Sequence, residues 1–167
     1  KRGTGELKGE TLQEIVYEAK GPGNVLMLIS ATTDNRNRTV SEIKSILAKL
    51  GGKMGEAGSS MWNFEQAGII LADPETQALD ELELMAIDSG AKDIKTEENI
   101  VSVFTEMRDL QKVKNKLEEK KVKVLEASLV FIPKSTIKLD ENAKASYEKL
   151  LEALDDQDDV NEIYDNL

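Results

Sequence analysis

VLMLISATTDNRNRTVSEIKSILAKL, residues 25–50, passes from an apolar run through a polar turn into an amphipathic segment. Val25 to Ala31 is continuous, rich in branched residues and of strand length, which predicts a buried strand. Val40, Ile43, Ile46, Leu47 and Leu50 fall on one face at helical spacing, which predicts a helix over Thr39 to Leu50. Thr39 and Glu42 have the T-x-x-E spacing of a capping box, and Gly51-Gly52 supplies the stop. A strand, a turn and a helix in this order open a split β-α-β unit. The turn between them, TTDNRNR, holds two arginines that a turn does not need.

The chain after this stretch repeats the order. Ser60, Trp62 and Phe64 alternate with polar Asn63 and Glu65, predicting a strand over Ser60 to Glu65 with both aromatics on its buried face. Ala67 to Ala72 reads as the next strand. Pro74 opens a helix with Ala78, Leu79, Leu82, Met85 and Ala86 inward, and Gly90 ends it. Ala91 to Glu97 and Ile100 to Thr105 read as strands around an acidic turn. Leu110, Val113 and Leu117 mark a helix, and Val122 to Ile132 is a long strand-like run. Residues 67–128 therefore give β-α-β-β-α-β, a ferredoxin-like pattern.

The flanks give a second copy, interrupted in the middle. It uses Val25–Ala31, Thr39–Leu50 and Ser60–Glu65, then Leu129–Ile132, Ala143–Leu154 and Val160–Tyr164. The expected fold class is α+β, with two ferredoxin-like split β-α-β domains, the second inserted into the first. Residues 14-66 plus 129-167 form the outer domain and 67-128 the inserted one. Residues 1-13 read as a linker or arm. Glu14 to Glu18 is a short strand ahead of the Gly21-Pro22-Gly23 turn.

The 167 residues include no cysteine and no histidine. Disulfides and zinc sites of the usual ligand types are excluded. So is nucleophile chemistry that relies on a histidine base. No cofactor motif is present, so the sequence points away from an enzyme, with no cofactor and no metal. No apolar run reaches membrane-spanning length, so no membrane partner is expected. The net charge of −10 is uneven. Residues 1–66 carry net +1, residues 67–128 net −5 and residues 129–167 net −6. Affinity for a phosphate backbone is expected in the first third.

The candidate contacts lie there. Asn35, Arg36, Asn37 and Arg38 sit ahead of the expected helix start, where free N–H groups and the helix dipole favour an anion. Arginine adds two-pronged phosphate binding. Thr39 belongs to the same start. Against this, Asp34 and Asn35 can make the turn while the arginines pair with acids. Lys53, in the glycine-rich GGKMGEAGSS of residues 51–60, is a further contact, although the spacing is not that of a P-loop. Lys1 and Arg2 are possible arm contacts. Trp62 and Phe64 read as core, because the basic RNP pattern that would make them a base-stacking pair is missing. Asp155 to Asp159 reads as a solvated turn, and the charged run Lys112 to Lys121 as a solvated helix face.

Several of these pieces, in this order, resemble the YebC family. They are Thr33 to Thr39 after an apolar strand, Gly51-Gly52 at a helix end, Phe131-Ile132-Pro133-Lys134, and Asp158 to Asn166 near the end. Lys1 to Gly5 is similar to the family's linker into its second domain. Ala19-Lys20 and Asn24 depart from the family pattern locally. The resemblance implies a chain without the family's basic, helical N-terminal domain. It also implies a cytoplasmic protein that binds nucleic acid. Members are described as DNA-binding transcriptional regulators, mitochondrial relatives as translational activators of cytochrome c oxidase, and bacterial members as tied to the ribosome and to relief of stalling at proline-rich stretches. The leading expectation is a monomeric, non-enzymatic translation regulator on the ribosome and its ribosomal RNA. The alternative is a DNA-binding transcriptional regulator.

Overall fold

The computed structural model describes residues 12–167. Lys1, Arg2 and most of the expected arm lie outside the described residues. In chain order the elements are β1 (Gln13–Lys20), β2 (Leu26–Thr33), α1 (Arg36–Lys49), β3 (Lys53–Met54), β4 (Phe64–Asp73), α2 (Leu79–Ser89), β5 (Asp93–Glu97), β6 (Ile100–Glu106), α3 (Leu110–Glu119), β7 (Lys123–Pro133), α4 (Glu141–Asp155) and β8 (Val160–Asp165). They form two compact units. One runs through Glu65 and resumes from Pro133 to Leu167, and the other is Gln66–Ile132. The class is α+β with two split β-α-β units, each built on a four-stranded sheet.

The inner unit has strand order β5-β6-β4-β7, with β4 and β5 both antiparallel to β6. Ile70 and Ala72 on β4, and Val101 and Val103 on β6, are spaced two apart and so share one face of the sheet. Leu82 and Ala86 on α2, and Val113 and Leu117 on α3, are spaced four apart and close over that face. The two periodicities meet in one dry layer.

The outer unit has strand order β3-β1-β2-β8, with every neighbouring pair antiparallel. Met27 and Ile29 of β2 join Ala19, Val25, Ile43, Leu47, Tyr147, Leu150 and Leu154 in its core. The Tyr147 hydroxyl donates to Asp165 Oδ2 at 2.6 Å, fastening α4 to β8. Leu26 and Leu28 point to the reverse face and are buried too, which is why β2 reads as an unbroken apolar run. The chain after β3 is tied to this reverse face. The Glu18 carboxylate accepts from the amides of Gly58, Ser60 and Met61, and Ser60 Oγ donates to the Ala19 carbonyl. Burial pushes the Glu18 carboxyl up, but the amides of Met61, Gly58 and Ser60 outweigh it and hold it below the usual range.

Four local expectations are corrected. Ser60 to Glu65 is not a strand: Met61–Asn63 is a single 3-10 turn, and β4 starts at Phe64. Phe64 is buried, but Trp62 is exposed and its indole donates to the Ser59 carbonyl, so the two aromatics do not share a face. Leu129 to Ile132 stays in β7 of the inner sheet, because nothing interrupts the run before Pro133. The outer sheet is completed by β1 and β3, and its chain order is β-β-α-β and then α-β. Finally, α2 begins at Leu79 rather than Pro74, because a turn closed from Gln77 N–H to the Pro74 carbonyl precedes it.

Candidate functional site

The first turn of α1 is where the expected contacts gather, but with altered roles. The helix starts at Arg36, and its N-cap is Asn35, whose side chain accepts from the Arg38 amide at 3.1 Å. Asparagine at this position is as good a cap as threonine, and it lets the helix gain a turn. Arg36, Asn37 and Arg38 are therefore inside the helix, not ahead of it. Thr39 is not the cap. It is fully buried, with its hydroxyl 2.8 Å from Thr33 Oγ1 and 2.7 Å from Asp159 Oδ2.

Asp159 lies in the turn between α4 and β8 and acts as a node. Its Oδ2 accepts from Thr39 Oγ1, from Arg38 Nη2 at 3.0 Å and from Gln157 Nε2 at 3.3 Å. Its backbone carbonyl accepts from the Thr32 amide at 2.9 Å. The Thr39 hydrogen bond leads in holding the Asp159 carboxyl below the usual range against partial burial, with Arg38 and Gln157 adding to it.

The two arginines differ. Arg38 reaches Asp159 and also lies 3.6 Å from Asp34 and 3.7 Å from Glu42. The Asp159 hydrogen bond pushes the Arg38 guanidinium further up, so it stays charged and engaged. Arg36 makes no ion pair among the described residues. It sits at the first position of a 14-residue helix, where a cation opposes the helix dipole and an added anion relieves the conflict. Arg36 and Asn37 line an open cleft of about 390 Å³ together with Tyr17 and Val40.

Lys53 is not part of this group. It lies on β3 beyond the other end of α1, about 20 Å away at 1.5 Å per residue, and pairs in register with Lys20. Asp159 and Tyr17 are absent from the expected set. Asp159 looks like one acid among several in an acidic turn, and Tyr17 like any strand tyrosine. Nothing in the sequence near either residue points to α1. Among the described residues no group of three or more acidic side chains is placed to hold a metal ion. No described helix is long and apolar enough to cross a membrane.

Two α+β units, one carried within the other, with a cation-bearing helix start on the outer one, define the class. The chain belongs to the TACO1/YebC family, matching its second and third domains over residues 12–167. It is 40% identical to a protein of Halothermothrix orenii, covering 99% of this chain and 67% of that one. It is 44% identical to one of Thermotoga maritima and 45% identical to one of Kosmotoga olearia, covering 99% of this chain and 66% of each. All three bear the name "Probable transcriptional regulatory protein". The chain thus spans about two thirds of the length of these relatives. A crystal structure of a conserved hypothetical protein from Aquifex aeolicus superposes with a TM-score of 0.89 at 37% identity, covering 99% of this chain and 68% of that one.

Proposed function

We propose that the protein is a non-enzymatic regulator of gene expression that binds nucleic acid, and that the first turn of α1 is a phosphate contact in this chain. The observation that carries the reading is the division of labour between two neighbouring arginines. Arg38 is held by three carboxylates, and Arg36 by none among the described residues. The names of the relatives support control of transcription as the process.

A second reading has a specific observation in its favour. A duplex-binding protein that depends on charge commonly neutralises several phosphates, roughly 6–10 in strongly salt-dependent cases. The chain carries a net charge of −10, and its candidate contact turn offers one uncommitted arginine. One phosphate held by a shaped surface suits a folded RNA better. That favours translation regulation on ribosomal RNA, including relief of stalling at proline-rich sequences. In either reading the protein works as a cytoplasmic monomer.

The test is binding of the full-length protein to ribosomes and to DNA duplexes of varied sequence at one fixed salt concentration. Sequence-selective duplex binding without co-sedimentation supports transcription. Co-sedimentation without sequence selectivity supports translation. Absence of both refutes nucleic-acid binding.

A further inference from the structure

Trp62, expected in the core, stands in solvent. It is the one tryptophan of the chain, and 62% of it is exposed. Its polar atom is already used, since the indole N–H donates to the Ser59 carbonyl at 3.0 Å. What the side chain offers a partner is therefore the ring itself. The turn beneath it is held in place. The Glu18 carboxylate accepts from the Gly58, Ser60 and Met61 amides, and the buried Ser60 hydroxyl donates to the Ala19 carbonyl. An exposed ring on a fixed turn is a preorganised contact, because little freedom is left for binding to remove.

An observation independent of Trp62 says what the ring meets. Glu18 and Lys20 are two apart on β1 and share the sheet face opposite the core-facing Tyr17 and Ala19. Lys53 on β3 is the cross-strand partner of Lys20, so both lysines lie on that face beside the pinned turn. Both are exposed, and neither makes an ion pair among the described residues. Like charges directly opposite each other on a sheet repel, and an anion between them removes the conflict. The Lys134 amide donates to the Asn63 carbonyl at 2.7 Å, which brings another exposed lysine beside the residue that follows Trp62. An open ring with uncommitted lysines around it matches a single strand of nucleic acid, whose bases have stacking faces and whose linkers are anionic. An apolar protein surface fits less well, because it would desolvate the lysines without pairing them.

We propose that Trp62, Lys20 and Lys53 form a site for unpaired nucleotides, with one base stacked on the Trp62 ring and neighbouring phosphates on the two lysines. The inference rests on the nucleic-acid reading above and gives it a second contact, separate from the first turn of α1. Stacking on the ring is tolerant of base identity, because every base has a π-face. Single strands of RNA and of DNA share this chemistry, and a blunt duplex, whose bases are already stacked, does not offer it.

The test is a salt-series titration of the full-length protein with fluorescein-labelled single-stranded RNA, single-stranded DNA of the same sequence, and the blunt-ended DNA duplex. Trp62→Ala, Trp62→Phe and a Lys20→Gln, Lys53→Gln double variant are compared with wild type. Trp62→Ala should stay folded, because the ring is exposed and Glu18 holds the turn without it, and a thermal melt checks this. It should weaken single-strand binding about tenfold, the order of one base–aromatic stack, with an unchanged salt slope and unchanged duplex binding. Trp62→Phe keeps a ring and should recover most of the loss. The lysine variant should lower the single-strand slope by about 1.4, the value of two lost contacts. Tighter binding of one single strand than the other assigns the site to RNA or to DNA. If wild type binds single strands and Trp62→Ala binds them equally well, the site is refuted while the functional reading stands. If Trp62→Ala binds them equally well but no longer co-sediments with ribosomes, the ring packs on protein and the proposal is overturned. An unchanged slope in the lysine variant refutes the site independently of the tryptophan. If wild type binds no nucleic acid in any form, both the site and the functional reading are refuted.

Discussion

The Thr39 hydroxyl donates to the Asp159 carboxylate at 2.7 Å, joining residues 120 positions apart in the chain. This contact fixes the start of α1 to the turn that leads into β8, so the outer unit closes only when its last segment returns. Thr39→Val keeps the shape and removes the hydroxyl. It should cost about 1–2 kcal/mol, the scale of a hydrogen bond to a charged group weakened by the remaining partners of Asp159. Urea denaturation of the variant beside wild type measures it. An unchanged midpoint would show that Arg38 and Gln157 hold Asp159 unaided.

The same node makes a prediction about acid. The folded-state pKa values of Asp159 and Glu18 both lie below their ordinary values of 3.8 and 4.5. A depressed carboxyl contributes stability that is fully present above its unfolded value and is lost as pH falls through the folded one. Stability should therefore hold down to about pH 4.5 and decline below it. Asp159→Asn should be less stable near neutrality and should flatten the lower part of that decline. Denaturation midpoints across a pH series report both effects.

The arginines should separate under mutation. Arg38→Ala removes the cation from a carboxylate that is mostly buried, and its thermal midpoint should fall. Arg36→Ala should not lower the midpoint and should raise it slightly, because it removes a cation that opposes the helix dipole. A double variant would then confound fold with function, so the two must be made singly. Thermal melts followed by circular dichroism distinguish them.

Much of this arrangement is legible in the sequence, and the losses have identifiable causes. Ala67 to Ala72 and Ile100 to Thr105 read as strands from their branched, apolar composition, and Val113 and Leu117 keep helical spacing, so the inner unit's element order follows from the sequence although not all of its bounds do. Thr39 and Glu42 carry a real capping signature. Asn35 competes for the same role four residues earlier, and the chain gains a helical turn by using it. The burial of Thr39 depends on Asp159, which no local pattern can supply. Leu129 to Ile132 could serve either sheet by composition, and strand continuity decides for the inner one. Arg36 and Arg38 are alike as letters, and the three acids around Arg38 exist only in the fold.

Inside the inner unit, Gly68 on β4 allows close approach of α3. A Cβ there would meet Thr105 Oγ1 and lie 3.0 Å from the Leu110 side chain. Gly68→Ala should destabilise by about 1–3 kcal/mol through overpacking. Because Gly68 lies on the inner unit, nucleic-acid affinity should be unaffected under conditions where the variant is folded. Denaturation and binding measured on one preparation test both statements.

The most direct test of the account is the salt dependence of nucleic-acid binding by the full-length protein, with Arg36→Ala beside wild type. The account predicts weaker binding at every salt concentration and a log–log slope smaller by about 0.9, the value of one lost phosphate contact. Identical affinity and identical slope would contradict it and remove the first turn of α1 from the binding surface.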